Sequence, residues 1–215
     1  MPTDPTSLEQ LRAALAAGER DFVGLRLDGI DGGDLDLSGC QLEDCSFKEA
    51  RFGHAHLANA KVEHCGFQQA LLWGADLSGL KAQQSFWQEA DLSGSRLQGA
   101  DFSGAHLHRC CLRGVVAADS RWCQSRLVEA DFRSGLDQLT DLGGADLREA
   151  DLTFALLQGV NLRGANLQGS SLYGANLSNA DLRGADLQGC DLRDAIVVGT
   201  QLEGARLDGT RLPQG

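Results

Sequence analysis

From Phe22 to Leu212 a large apolar residue returns at every fifth position. Leu, Phe, Val or Trp holds each of these beats except Gly32, Ala82, Ala117 and Asp137. Two places earlier a small residue (Ala, Cys, Ser, Thr, Val or Gly) predominates; Asp or Asn often precedes the beat, and Gly often follows two places after it. The unit reads Ala-Asp-Leu-x-Gly, as in "GANLQGSSLYGANLSNADLRGADLQGCDL". On a helix, steps of five scatter around the axis, and on a strand an odd step alternates faces. The chain must therefore turn once per repeat. Glycine supplies positive φ at the turn, and the large residue and the small one before it point inward. Short strands and corners stacked into coils follow, each coil pairing with the next.

All three prolines are terminal (Pro2, Pro5 and Pro213), so nothing from Thr6 to Leu212 removes a backbone donor. In these repeats the sequence resembles the pentapeptide-repeat family over about nine-tenths of its length. The resemblance implies an all-β fold, a right-handed quadrilateral β-helix with twenty residues per coil. About ten coils at ~4.8 Å spacing would make a rod of roughly 45–50 Å. We expect two parts: an N-terminal segment, 1–19, and the repeat β-helix, 20–215. In "DPTSLEQLRAALAAGERDF", Asp4, Thr6 and Ser7 are candidate N-caps, Leu8, Leu11 and Leu15 share one face, and Gly18 can end the helix. This helix is expected to cap the first coil. No second helix follows "LEGARLDGTRLPQG", so the C-terminal coil is a candidate homodimer edge.

Three weak beats have a packing explanation. Gly32 follows Ile30 and Ala82 follows Leu80, so bulk has moved to the neighbouring inward position. Ala82 and Ala117 also stand one repeat before Trp87 and Trp122, where a large ring needs a small neighbour. Asp137 has no such compensation, because Gly135 adds no bulk. With twenty residues per coil, Ala117 and Asp137 would stack, preceded by Val116 and Leu136 and followed by Leu156. Either a local bulge turns Leu136 inward and frees Asp137, or Val116, Leu136, Leu156 and Ile196 form an exposed apolar stripe for a partner. No nucleophile or base recurs beside Asp137 to make it catalytic.

Charge and candidate chemistry refine the picture. Thirty acids against nineteen bases give −11, which repels nucleic acid and disfavours anionic membranes. No stretch has the length of a membrane span, and no basic-then-apolar leader opens the chain, so a cytoplasmic setting is expected. Asp28, Asp31, Asp34, Asp36, Glu43 and Asp44 form a base-free block, a candidate docking patch for a basic surface. Of seven cysteines, Cys40, Cys45, Cys65, Cys110 and Cys190 hold small inward positions, where Cys acts as a small hydrophobe; Cys45 and Cys65 would be stacked neighbours. In "HLHRCC", His106 and His108 flank inward Leu107 while Cys110 points in, which argues against a zinc cluster; His54, His56 and His64 read as surface residues. Phosphate-loop, catalytic-triad and paired-carboxylate patterns are absent, and we expect a non-enzymatic protein without cofactor.

The family includes bacterial quinolone-resistance proteins, which bind DNA gyrase and topoisomerase IV and resemble DNA in width, shape and charge. The resemblance thus implies a protein partner, gyrase or another protein with a basic groove. Those members typically carry loops that interrupt the repeats and a C-terminal helical dimer module, and neither is legible here. Arg96, Arg121, Arg126 and Arg206 also replace Asp and interrupt the negative columns. A rigid acidic, partly apolar interaction surface is the broader expectation, and DNA mimicry the sharper one.

Overall fold

The computed structural model describes residues 5–136 and 138–214. Helix α1, Leu8–Ala16, begins at Ser7, whose hydroxyl accepts from Gln10 N, as expected of one of the candidate caps. Gly18 ends it at φ 90°, and Gly18 N and Glu19 N donate to Leu15 O and Ala14 O. Leu11 is fully buried, and Leu8, Ala14 and Leu15 pack against the core cluster of the repeats. Candidate Asp4 lies outside the described residues.

Three strands, β1 (Asp21–Val23), β2 (Gln41–Glu43) and β3 (Lys61–Glu63), pair in parallel with register steps of twenty residues. Isolated parallel bridges continue the pattern, four per twenty residues, so each coil has four short sides. We number these by their outward residues: side 1 begins at Asp21, side 2 at Arg26, side 3 at Asp31 and side 4 at Asp36. An outward residue bonds both ways: His56 N donates to Leu35 O (2.9 Å) in the coil before, and His56 O accepts from Leu37 N (2.7 Å). Interior backbone polarity is thereby satisfied by neighbouring coils.

At most corners the fourth residue closes on the first, as in Cys40 N to Leu37 O (3.0 Å), with Gly39 between them at φ 68°, the geometry of a type II turn. The conformation outruns glycine: Asp34, His54, Gln84, Glu129 and even Phe154 (φ 57°) adopt it.

The core is a column of beat residues and their small companions, and it explains the weak beats. A Cβ on Gly32 would stand 2.7 Å from the ring of Phe52, which fills the gap from the next coil while Ile30 packs at the core margin. Trp87 stacks on Phe67 (4.2 Å between centroids) and Trp122 on Phe102 (4.6 Å). Each buried indole donates to the serine two places before it: Trp87 Nε1 to Ser85 Oγ and Trp122 Nε1 to Ser120 Oγ, both 2.6 Å. Those hydroxyls donate on to Ala82 O and Ala117 O, the backbone of the undersized beats.

One register step differs. Val116 pairs with Asp141, Arg121 with Asp146, Arg126 with Asp151 and Asp131 with Leu156, each a step of twenty-five. From Asp141 to Asn161 the step is twenty again. One repeat-length of chain leaves the coil between side 3 and side 4, so a loop does interrupt the array, contrary to the sequence expectation. Leu136 does not turn inward; it is fully exposed, as is most of Leu139. Asp137 lies outside the described residues. The loop's base is tied: Gly114 N donates to Arg133 O (3.1 Å) and to the hydroxyl of fully buried Thr140 (2.8 Å), which donates to Arg133 O (3.0 Å). Within the loop Gly135 N donates to Gln138 O (2.8 Å). Gly114 must be glycine here, at φ +64° and with Gly135 N only 3.1 Å from where a Cβ would stand.

Candidate interaction surface

The register step divides the proposed apolar stripe. Val116 stands on side 4 between Arg96 and Asp141, whereas Leu156 and Ile196 stand on side 3, separated by Asn176, and Leu136 lies in the loop. A repeat of loop carries every later residue one side around the coil, so the straight column over Val116 does not form. A different apolar region takes its place on side 3 and its two corners. Phe154 is 50% exposed, Ile196 48% and Val198 72%, with Leu156 between them, and the exposed Leu136 and Leu139 belong to the loop that leaves at the corner between sides 3 and 4. Phe154 meets Tyr173 edge-on (5.7 Å), and the Arg193 guanidinium lies 5.9 Å from the Tyr173 ring. Sequence reading missed Phe154 and Val198; for Phe154, an apolar residue at the glycine position of a turn was the available signal.

The acidic block is exposed but not one patch. Asp28, Asp31, Asp34 and Asp36 follow one arc around side 3, whereas Glu43 and Asp44 sit on the opposite corner, between sides 1 and 2. Asp28 accepts from Ser46 Oγ (2.6 Å) and Lys48 N (2.9 Å), and Asp36 from Ser38 N (2.9 Å), a bond that lowers its carboxyl pKa.

That last bond recurs throughout. The repeat aspartate accepts from the N–H two residues on in Ser78, Ser93, Ser103, Gly143 and Thr153. The acid therefore belongs to the corner itself, an Asx turn. Where Arg occupies that second position it forks onto the same carboxylate, as Arg148 on Asp146, Arg183 on Asp181 and Arg193 on Asp191, holding all three carboxyls down to about 2. Arg96 and Arg206 pair with Asp76 (3.3 Å) and Asp186 (2.9 Å), one coil before. Much of the negative surface is thus locally neutralised.

The cysteines at inward positions are buried and free. Burial pushes the Cys40 thiol up to about 11 and raises Cys110, which donates to Trp87 O (2.8 Å). Cys45 N donates to Cys65 Sγ (3.4 Å), so the two are stacked neighbours as expected. In "HLHRCC", His106 packs on Phe86 (5.1 Å) while Cys110 faces the core, so these side chains diverge. His54 meets Trp73 edge-on (4.4 Å), His56 lies on side 4 and His64 is 3.9 Å from Asp44.

A groove of about 630 Å³ runs up the corner between sides 3 and 4, from Trp73 to the loop's Leu136. Trp73, 46% exposed, is the tryptophan that falls off the beat. Its ring lies on Gly53, where a Cβ would stand 2.7 Å from it.

No helix among the described residues is long and apolar enough to cross a membrane. No curated protein matches the chain. Among solved structures it is similar to HetL, a pentapeptide repeat protein involved in heterocyst differentiation regulation from the cyanobacterium Nostoc sp. strain PCC 7120. That likeness covers 98% of this chain and 99% of the other at 29% identity, with a TM-score of 0.78. It is also similar to QnrB1, a plasmid-mediated fluoroquinolone resistance protein, over 89% of this chain and 93% of that one, at 20% identity and a TM-score of 0.52. Pentapeptide repeats, eight copies, match residues 36–74, 74–109, 145–184 and 170–209. With repeats matched over more than half its length and a coil built on them, the chain belongs to the pentapeptide-repeat family.

Proposed function

We propose that this chain is a non-enzymatic cytoplasmic protein of a bacterial cell that acts by binding another protein on the loop-bearing side of its β-helix. The observation that carries the reading is the loop: Leu136 and Leu139 are exposed on a segment whose base is tied by Thr140, and side 3, from which it departs, carries the half-exposed Phe154 and Ile196 farther along. An exposed apolar group of this kind marks an interaction surface. The likeness to HetL, a regulatory protein, supports a regulatory rather than a catalytic role. In this reading the array is a right-handed β-helix of about ten coils, and α1, with Leu11 buried, closes its first coil. Affinity capture from a lysate of the source cell tests it. One or a few specific proteins should be retained and then lost with Leu136→Asp; retention of none would overturn it.

A second reading, gyrase or topoisomerase IV binding by DNA mimicry, gains one observation, since a loop does interrupt the repeats. Against it stand the aspartates forked by Arg148, Arg183 and Arg193, which break any continuous phosphate-like row. A supercoiling assay with and without fluoroquinolone separates the two; no inhibition and no protection at micromolar protein removes mimicry. We also propose that the coil from Val197 to Leu212 accepts a further strand, including one from a second copy. Val197, Leu202 and Leu207 N–H have no carbonyl partner among the described residues, and Leu212 is 55% exposed. A monomer only, by analytical ultracentrifugation at micromolar concentration, would exclude the homodimer.

A further inference from the structure

We propose that the groove between Trp73 and the loop is a specific seat for a segment of a partner protein that carries a large apolar side chain next to a carboxylate. The inference rests on the reading of the chain as a protein-binding molecule and names the chemistry of what binds.

The walls are apolar and held in position. Trp73 stands on one side, fixed from beneath by Gly53 and edge-on by His54; Leu136 stands on the other, on the loop tied to Gly114. Three coils separate them, about 14 Å at ordinary strand spacing, wide enough for an apolar side chain and its backbone. The floor is flat because Gly94 and Gly114 hold the corner positions between them, both at positive φ and without side chains.

Charge then selects the occupant. The chain carries −11, yet among the described residues lining this groove the only charged one is Arg113. Arg113 is half exposed and shares Asp131 with Arg133, so two guanidinium groups meet one carboxylate. A carboxylate brought in by a partner finds an under-neutralised cation there. At the other end of the same corner the exposed Asp34, flanked by Asp31 on side 3 and Asp36 on side 4, lies two coils before Trp73, about 10 Å along the axis, or one Debye length at 0.1 M salt. These acids repel a carboxylate from that end and so set the direction of the segment, acidic end toward the loop.

The chain holds its own reporter. Of its three tryptophans, Trp87 and Trp122 are fully buried, so acrylamide quenching reads Trp73 alone. Three probe peptides, acetyl-Leu-Phe-Asp-amide and its Asn and Lys counterparts, are titrated to millimolar concentration against the full chain, with amide shifts followed in parallel. The Asp peptide should protect Trp73 from acrylamide and shift Gly94 and Gly114. The Asn peptide should bind at least about threefold more weakly and the Lys peptide weaker still. Arg113→Gln should make the Asp and Asn peptides equal, and Leu136→Asp, at an exposed site that leaves the fold intact, should abolish binding of all three. No protection of Trp73 by any peptide, equal binding of Asp and Lys forms, or shifts remote from Gly94 and Gly114 would overturn the proposal. If a captured partner binds Trp73→Ala and Leu136→Asp as tightly as the native chain, the groove is wrong and the interaction role stands; if no partner is captured at all, the broader reading fails.

Discussion

Deleting Gly135 to Leu139 and changing Ser134 to Gly should return the long coil to twenty residues without disturbing anything above it. The remaining repeat would read Phe132, Arg133, Gly, Thr140, Asp141, Leu142, with glycine at the positive-φ corner and Thr140 in its small inward place. Leu136 and Leu139 are exposed, so almost no apolar burial is lost. One exposed hydrogen bond, Gly135 N to Gln138 O, disappears at a cost of about 1 kcal/mol, and a shorter closure returns some tenths. The net change should stay within about 1 kcal/mol. Leu142→Ala, at a fully buried beat, should by contrast cost about 2–5 kcal/mol. Urea denaturation gives the energies, and amide chemical shifts give the register. Val116 already faces Asp141, so shifts should change only near Gly114, Arg133 and Thr140. If instead residues 135–139 formed a side of the coil, deletion would rotate every later coil by one side. Shift changes spread over residues 141–212 would refute the looped-out repeat.

Gly32→Leu, although it restores the apolar beat, should destabilise by about 1–3 kcal/mol in denaturant, since the ring of Phe52 already occupies that space. Ser120→Ala should cost about 1–3 kcal/mol by leaving the buried Trp122 indole N–H without an acceptor, with an altered near-ultraviolet tryptophan signal; Ser120→Thr, keeping the hydroxyl, should cost less. Folded carboxyls at Asp146, Asp181 and Asp191 are held near 2, below their ordinary 3.8, so their contribution is complete above pH 3.8 and is lost as pH falls toward 2. Unfolding midpoints should follow that window, and Arg148→Gln should move the Asp146 titration back toward 3.8 by carboxyl NMR. Thiol titration of the native protein should leave Cys40, Cys45, Cys65, Cys110 and Cys190 unmodified, while Cys111 and Cys123, half-exposed with burial raising both thiols, react slowly; rapid modification of more than two would contradict the inward placement.

Legibility followed the range of the interactions. The apolar beat, the corner glycines, the inward cysteines and the end of α1 at Gly18 depend on residues within a few places of one another and could be read from the chain, whereas its start was narrowed only to Asp4, Thr6 or Ser7. The serine relays at Ser85 and Ser120 were half visible: the small residue was noted, but its bond to the indole two places on needed coordinates. The loop was hidden by its length. An insertion of one repeat leaves the five-residue beat intact while shifting the twenty-residue coil, so Asp137 was the only mark it left, and that mark fits a bulge or an unbroken register with an apolar stripe as readily as a departure. The surface columns depend on coil register, which is why Val116 separated from Leu156 and why the apolar side had to be redrawn around Phe154, Ile196 and Val198. Trp73 was passed over because it lies off the beat, in a corner position that the repeat leaves to any residue.

The claim that the loop-bearing side is where this protein does its work is tested most directly by binding of a captured partner to the native chain and to the form lacking Gly135 to Leu139, compared by calorimetry at equal fold integrity. The account predicts at least about tenfold weaker binding by the shortened form, as for loss of a central apolar anchor. Equal affinity of the two, with the shortened coil shown intact by its amide shifts, would contradict it.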